Sequence, residues 1–303
     1  MIIIPPYLKK GDTIGLTCPA GYMSAEKVAA CIGTLQQWGF EVMVGKTVGS
    51  KSKNYFSAID EERKNELQAM LDNSEIHAIL FCRGGYGMGR IIDKIDFKKF
   101  KKKPKWLIGF SDITILHNHL FTNYQIASIH GPMAGAFNLK ENNITNIQSI
   151  QKAITGKKNQ YNCSFHKNNK IGVAKGKLIG GNLALLVNSI GTKSDIDTNN
   201  KILFIEDVGE YLYSVDRMLY QLKRSGKFNK IKGLIFGGFT DIKDTDRPFG
   251  KGIDEILKDI VEQYKFPVCF HFPISHGIDN VAVKIGVEYQ LSITKNKTTL
   301  KEL

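Results

Sequence analysis

No run in this 303-residue chain approaches the roughly 18 consecutive apolar residues that a membrane-crossing helix needs, so none is expected. The first residues, Met1-Ile2-Ile3-Ile4-Pro5-Pro6, have no basic stretch and too short an apolar core for a secretory leader. Cysteine is scarce. The five residues Cys18, Cys31, Cys82, Cys163 and Cys269 are scattered, odd in number and form no C-x-x-C pair. That spacing suggests neither a zinc knuckle nor a disulfide framework, and it fits a reducing cytoplasm. Arginine is also scarce for a chain of formal charge +13: only Arg63, Arg83, Arg90, Arg217, Arg224 and Arg247 among 42 basic residues. Readers of bases and phosphates favour arginine's bidentate fork, so no nucleic-acid partner is expected. The positive field suits an anionic small substrate equally well. The densest basic run, Lys98 to Lys105, reads as a solvated loop before a buried strand. Internal repeats, low-complexity tracts and the H-x-x-x-H and H-E-x-x-H patterns of zinc enzymes are all missing. Hence no metal, no cofactor and no membrane partner are expected.

What is present is ordinary globular composition, 42% hydrophobic and 23% charged, with length enough for two domains. Short apolar strands at 13–17, 40–44 and 76–82 alternate with amphipathic helices, one opening near Ser24 and stopped by Gly39, another from about Asp60 to Leu71. Further strands are expected from Trp106 and over 127–130. This alternation predicts an α/β layer with a parallel sheet over residues 1–137. Residues 138–172 shift to Asn, Lys, Gln and Ser and read as a linker, with one short helix near 147–154. A second domain is expected over 173–303. Its strand 202–205 presents Glu206 and Asp207, its strand 267–272 leads to Pro273-Ile274-Ser275-His276-Gly277, and a hairpin turns near Gly286.

Two stretches carry chemistry. Arg83-Gly84-Gly85-Tyr86-Gly87-Met88-Gly89-Arg90 follows a strand but fails the dinucleotide fingerprint, because Arg90 stands where the third glycine belongs. No Gly-Lys-Ser/Thr follows, which excludes a P-loop. The loop reads either as a tight turn or as a nest of free N–H groups for an anion. Trp106-Leu107-Ile108-Gly109-Phe110-Ser111-Asp112 reads as strand, sharp turn, helix. Ser111 followed by Asp112 is open to two readings. One is a helix N-cap. The other is a nucleophile elbow, matched by Gly109 but not by Ile113, which occupies the second glycine position.

Ser111, Glu206 and His276 then sit at three strand ends in the order of a nucleophile, a carboxylate and a base. Asp207 and Glu210 compete for the carboxylate role. His130, at a strand end, is a second candidate base, whereas His117 and His119 within the elbow helix are expected to be structural. Alternation on a strand would send Glu206 and Asp207 to opposite faces.

The sequence resembles the LD-carboxypeptidase family of serine peptidases. The resemblance is carried by Arg83-Gly84-Gly85-Tyr86-Gly87, Gly109-Phe110-Ser111-Asp112, His130-Gly131-Pro132, Gly180-Gly181-Asn182-Leu183, Ile205-Glu206-Asp207-Val208, Asp216-Arg217-Met218-Leu219, and His276-Gly277 with Asn280. These run in the family's order from about residue 13 to 292. Ser275 departs from the glycine that often precedes the histidine. The resemblance implies Ser111 as nucleophile, His276 as base and Glu206 as its partner. It also implies an oxyanion hole from the amides of the Gly84-Gly85 turn and Asp112, with Arg83, Gly84 and Asn182 at the substrate. It implies a Rossmann-like N-terminal domain, a C-terminal α/β domain with a β-rich swivelling core, and a homodimer. The implied reaction is removal of a terminal D-alanine from the murein tetrapeptide recovered during wall recycling. A similar branch, the microcin-immunity hydrolases of peptidyl or aminoacyl nucleotides, tends to have a longer chain with an added loop.

Overall fold

The computed structural model describes residues 1–138 and 144–303. The first part alternates strand and helix: β1 (Thr13–Thr17), α1 (Ala25–Gln37), β2 (Glu41–Val44), α2 (Asp60–Asp72), β3 (Ile76–Phe81), α3 (Met88–Ile91), α4 (Lys98–Lys102), β4 (Trp106–Gly109), α5 (Thr114–Tyr124) and β5 (Ser128–His130). The strands lie in the order β2-β1-β3-β4-β5, all parallel, which is a Rossmann-like arrangement. Both faces of this sheet are covered, so β3 and β4 are almost continuously apolar and buried. Helix α1 buries Val28, Cys31 and Leu35, spaced three and four apart, and the chain leaves it through Gly39 at φ +90°.

The second part comprises α6 (Ile144–Ile154), β6 (Gln160–Ser164), β7 (Gly172–Asn182), α7 (Leu183–Asn188), β8 (Ile202–Val208), α8 (Leu212–Arg224), β9 (Gly233–Thr240), α9 (Ile253–Val261), β10 (Val268–Cys269), β11 (Val283–Ile285), β12 (Glu288–Ile293) and β13 (Lys297–Glu302). Its sheet has the order β10-β9-β8-β7-β12-β13-β6. The β10-to-β7 half is parallel and the β7-to-β6 half antiparallel. The eleven-residue β7 serves both halves, pairing β12 through its first residues and β8 through its last.

Two expectations are corrected and one is extended. The stretch 138–172 holds the expected short helix, α6, and adds β6, the edge strand of the second sheet; its residues 139–143 lie outside the described residues. The expected hairpin around Gly286 is not one. Gly286 turns at φ +84°, but β11 before it joins the first sheet, antiparallel to β5, while β12 after it joins the second and makes its hairpin with β13. Alternation identifies a strand without naming its partner. Buried Lys284 of β11 meets Glu302 of β13 at 2.8 Å, an ion pair linking the two sheets. The lysine run, finally, is no open loop: Lys98–Lys102 is α4, with Phe100 inward. Buried Lys105 donates to the carbonyls of Met70 and Asn73, and burial pulls its pKa down to about 8.

The loops after β1, β3 and β4 leave the same edge of the parallel sheet. In doubly wound sheets ligands bind at that carboxyl edge, near the strand-order reversal, here between β1 and β3.

Candidate active site

Leaving β4, the chain passes Phe110 in extended conformation and reaches Ser111 at φ +61°. A non-glycine residue held there costs about 1–3 kcal/mol and persists only where its surroundings enforce it. The cap reading fails on geometry, because Phe110 occupies the cap position of the 3₁₀ turn Ser111–Ile113 and no side-chain cap bond forms. The strained serine at a strand-to-helix turn is the geometry of a nucleophile elbow. Gly109 is needed because a β-carbon on it would meet Ile113 Cγ1 and Phe81 Cδ2 at 3.1 Å. Ile113 takes the other glycine position without conflict, packed in the core.

The loop after β3 is tied to this turn from below. Buried Asp112 accepts the Met88 amide at 2.7 Å. Burial pushes its carboxyl up to about 6 although the Met88 and Gly87 amides pull it down. The tether brings Gly84 against Ser111 and turns Gly85, at φ +93°, under the Tyr55 hydroxyl. Among the described residues, neither the Gly85 nor the Asp112 amide donates to a backbone acceptor. Two such donors beside a serine hydroxyl can stabilise an oxyanion.

His276 arrives from the loop after β10, its ring 4.7 Å from that of Phe110. Its Nδ1 lies 2.6 Å from Glu206 Oε2. An ionised carboxylate only accepts, so the proton sits on Nδ1 and Nε2 presents its lone pair. Nε2 has no hydrogen-bond partner among the described residues. Burial disfavours the His276 cation, but the hydrogen bond and charge of Glu206, with Asp207 behind it, outweigh this and raise the pKa. Glu206 is fully buried within β8, where the register against β9 shifts between Ile205 and Asp207. Asp207 points elsewhere, accepting from Asn182 Nδ2 at 2.7 Å, the Ala184 amide at 3.1 Å and the Val208 amide at 2.8 Å. Burial lifts its pKa to about 6.

A cleft of about 590 Å³ gathers Ser111, His276, Arg83, Gly84, Gly85 and Asn182 along one wall or another, together with Asp207 and Glu210. Arg83 is exposed and fixed through one guanidinium nitrogen by the Tyr22 carbonyl at 2.8 Å. Asn182 is largely committed elsewhere: its Oδ1 caps α7 through the Leu185 amide at 3.2 Å and its Nδ2 holds Asp207. It therefore shapes the cleft more than it reaches into it. His130 is excluded as the base. It is fully buried between Phe110 and Phe204, has no hydrogen-bond partner on either ring nitrogen among the described residues, and is held neutral by burial. His117 donates through Nε2–H to the Gly109 carbonyl at 2.8 Å, and burial pulls its pKa down to about 4. His119 meets Ser194. Tyr55, Tyr86 and Met133 also line the cleft; Tyr86 belongs to the glycine loop and Met133 follows His130-Gly131-Pro132, but nothing in the sequence around Tyr55 marks it.

Residues 14–131 match the model of the LD-carboxypeptidase N-terminal domain, and residues 175–291 that of the LD-carboxypeptidase C-terminal domain. A probable murein peptide carboxypeptidase of Bacillus subtilis is 33% identical over 98% of this chain and 94% of its own. The crystal structure of muramoyltetrapeptide carboxypeptidase from Oxalobacter formigenes is 29% identical, superimposes with TM-score 0.86 and covers 96% of this chain and 98% of its own. The microcin C7 self-immunity protein MccF of Escherichia coli is 24% identical over 97% of this chain and 94% of its own.

Proposed function

This chain belongs to the LD-carboxypeptidase family, and we propose that it is a serine-type hydrolase releasing the terminal D-alanine of the murein tetrapeptide L-Ala-γ-D-Glu-meso-DAP-D-Ala in the cytoplasm. The observation that carries this reading is the pairing of His276 Nδ1 with buried Glu206 at 2.6 Å, in the same cleft as the strained Ser111.

In this mechanism His276 Nε2 removes the Ser111 proton as Oγ attacks the carbonyl carbon before D-alanine. Glu206 holds the imidazole tautomer and balances the imidazolium charge. The tetrahedral oxyanion forms against the Gly85 and Asp112 amides, preorganised by the Asp112–Met88 bond. His276 then protonates the leaving amine, and water, activated by the same imidazole, hydrolyses the acyl-enzyme. Arg83 anchors the substrate's terminal carboxylate. A homodimer, as the resemblance implies, belongs to the same reading.

A peptidyl- or aminoacyl-nucleotide hydrolase is the alternative within the same fold. What favours the peptide is likeness: the probable murein peptide carboxypeptidase of Bacillus subtilis and the muramoyltetrapeptide carboxypeptidase of Oxalobacter formigenes are 33% and 29% identical to this chain, the microcin C7 self-immunity protein 24%. The test is mass spectrometry of the tetrapeptide, and in parallel of an aminoacyl sulfamoyl adenosine, incubated with wild type and Ser111→Ala. D-alanine release by wild type alone supports the proposal. Turnover of the nucleotide analogue without release of D-alanine overturns it.

A further inference from the structure

Away from the cleft, three side chains from three separate parts of the second sheet converge. His166 lies in the connection between β6 and β7, Asp254 in the first turn of α9, and His271 just after β10. His271 Nε2 is 2.8 Å from Asp254 Oδ1, and His166 Nε2 is 3.5 Å from Asp254 Oδ2. One ligand atom from each residue can be chosen so that all lie within 4.8 Å of one another. We propose that His166, Asp254 and His271 form a binding site for a divalent transition ion of borderline softness, with zinc as its reference case.

The donor set is the first argument. Two imidazoles and a carboxylate suit zinc, nickel and copper and suit calcium or magnesium poorly, since the latter take oxygen ligands. An ordinary ion pair explains the cluster less well, because one carboxylate neutralises one cation and the rings stand 4.8 Å apart between centroids. Both rings turn Nε2 toward the Asp254 carboxylate, one to each oxygen. The second argument is that two of the three ligands are held before any ion arrives. The His166 ring stacks on Phe270 at 5.7 Å. Its loop is clasped to β10 by Lys170 and Val268, which exchange backbone hydrogen bonds at 2.9 and 3.2 Å, and by the Phe270 amide donating to Asn169 Oδ1 at 2.8 Å. Asp254 sits on a helix whose entry Glu255 caps through the Gly252 amide. His271, half exposed and at φ +54°, is the adjustable member. Tetrahedral bonds of about 2.1 Å require ligand atoms about 3.4 Å apart, so closing the widest separation takes a small rotation of this ring. A water would complete the coordination of a bound ion.

Binding needs both Nε2 lone pairs, so each neutral ring moves the proton it now directs at Asp254 from Nε2 to Nδ1; on His166 the 3.4 Å contact from the Asn168 amide then gives way. His271 also opens the segment that delivers His276, so a bound ion would brace the root of that loop.

Titration of chelator-treated full-length protein with Zn²⁺, by calorimetry and by competition with a chromophoric chelator, tests the site. One equivalent is expected, with affinity reduced at least about 100-fold in His166→Ala and in Asp254→Asn. The asparagine keeps an acceptor oxygen for the histidines, and near-ultraviolet circular dichroism checks that each variant is folded. Half-buried Cys163 is the competing ligand nearby; Cys163→Ser should bind as wild type does, and the Co²⁺ form should show no thiolate charge-transfer band. Absence of stoichiometric binding overturns the proposal. So does binding that survives in His166→Ala and Asp254→Asn, or that is lost in Cys163→Ser.

Discussion

Gly84 stands so close to Ser111 that a β-carbon on it would lie 2.9 Å from the Ser111 Cβ and 3.1 Å from its Oγ. The glycine is therefore set by proximity to the serine and not by its own backbone angle. Gly84→Ala must push Ser111 or the Gly84-Gly85 turn outward. A displacement near 1 Å at a reacting group costs roughly 100-fold in rate, while overpacking of this kind costs about 1–3 kcal/mol of stability. The expected outcome is a folded protein with kcat/KM for the tetrapeptide down about 100-fold and slow labelling by a fluorophosphonate. Labelling at the wild-type rate would show that the two residues do not share a site in solution.

Ser111→Ala should abolish D-alanine release, a loss of roughly 10⁴-fold or more for a triad nucleophile. It should not destabilise the fold, because among the described residues the hydroxyl makes no hydrogen bond that supports the turn. Thermal melting alongside the kinetic assay separates the two effects. More than a tenth of wild-type activity would remove Ser111 from the nucleophile role.

Glu206→Gln tests the tautomer argument. The glutamine amide can donate to Nδ1, which favours the proton on Nε2, the wrong nitrogen for a base. A loss of roughly 10³–10⁴-fold in kcat is expected. The pH profile carries the sign. His276 must be neutral to act as base, so kcat/KM is low below its folded pKa and rises to a plateau above it. Glu206 raises that pKa, so the acid limb should move to lower pH in the variant. Stability runs the other way: the contribution of the pair is full below the unfolded histidine pKa and is lost as pH rises through the folded one. An acid limb that stays in place would mean another group titrates there. His130→Leu is the companion control, and it should leave the limb unmoved, since burial keeps that ring neutral.

The alternation of strand and helix made the first sheet legible, because parallel strands buried on both faces announce themselves as short apolar runs, as β3 and β4 do. The opposition of Glu206 and Asp207 was legible for the same reason, since neighbours on a strand face apart. Three features were not. The turn at Ser111 depends on a positive φ, which no single residue identity fixes. The partner of β11 is β5, whose His130 lies opposite Val283, a pairing so distant in sequence that periodicity cannot show it. Tyr55 enters the cleft from a loop of Gly, Ser and Lys, where only the crowding at Gly85, 2.6 Å from its hydroxyl had that glycine a β-carbon, explains its place.

The enzyme should release a terminal D-alanine and leave L-alanine in place on an otherwise identical stem. In the proposed mechanism the substrate would have two anchors: the Gly85 and Asp112 amides for the carbonyl oxygen, and Arg83, itself held by the Tyr22 carbonyl, for the terminal carboxylate. With both ends held, inverting the last α-carbon exchanges its methyl and hydrogen. Either the methyl enters space shaped for hydrogen or the carboxylate leaves Arg83. Losing a charged hydrogen bond costs about 1.5–3 kcal/mol, which is one to two decades in kcat/KM. Arg83→Met should impose a similar loss on the D-epimer and narrow the gap between the epimers, because the anchor that makes inversion costly is gone. Paired synthetic tetrapeptides, differing at that centre alone, measure both effects. Equal kcat/KM for the two epimers in the wild type would remove the anchoring model and with it the assignment of the substrate.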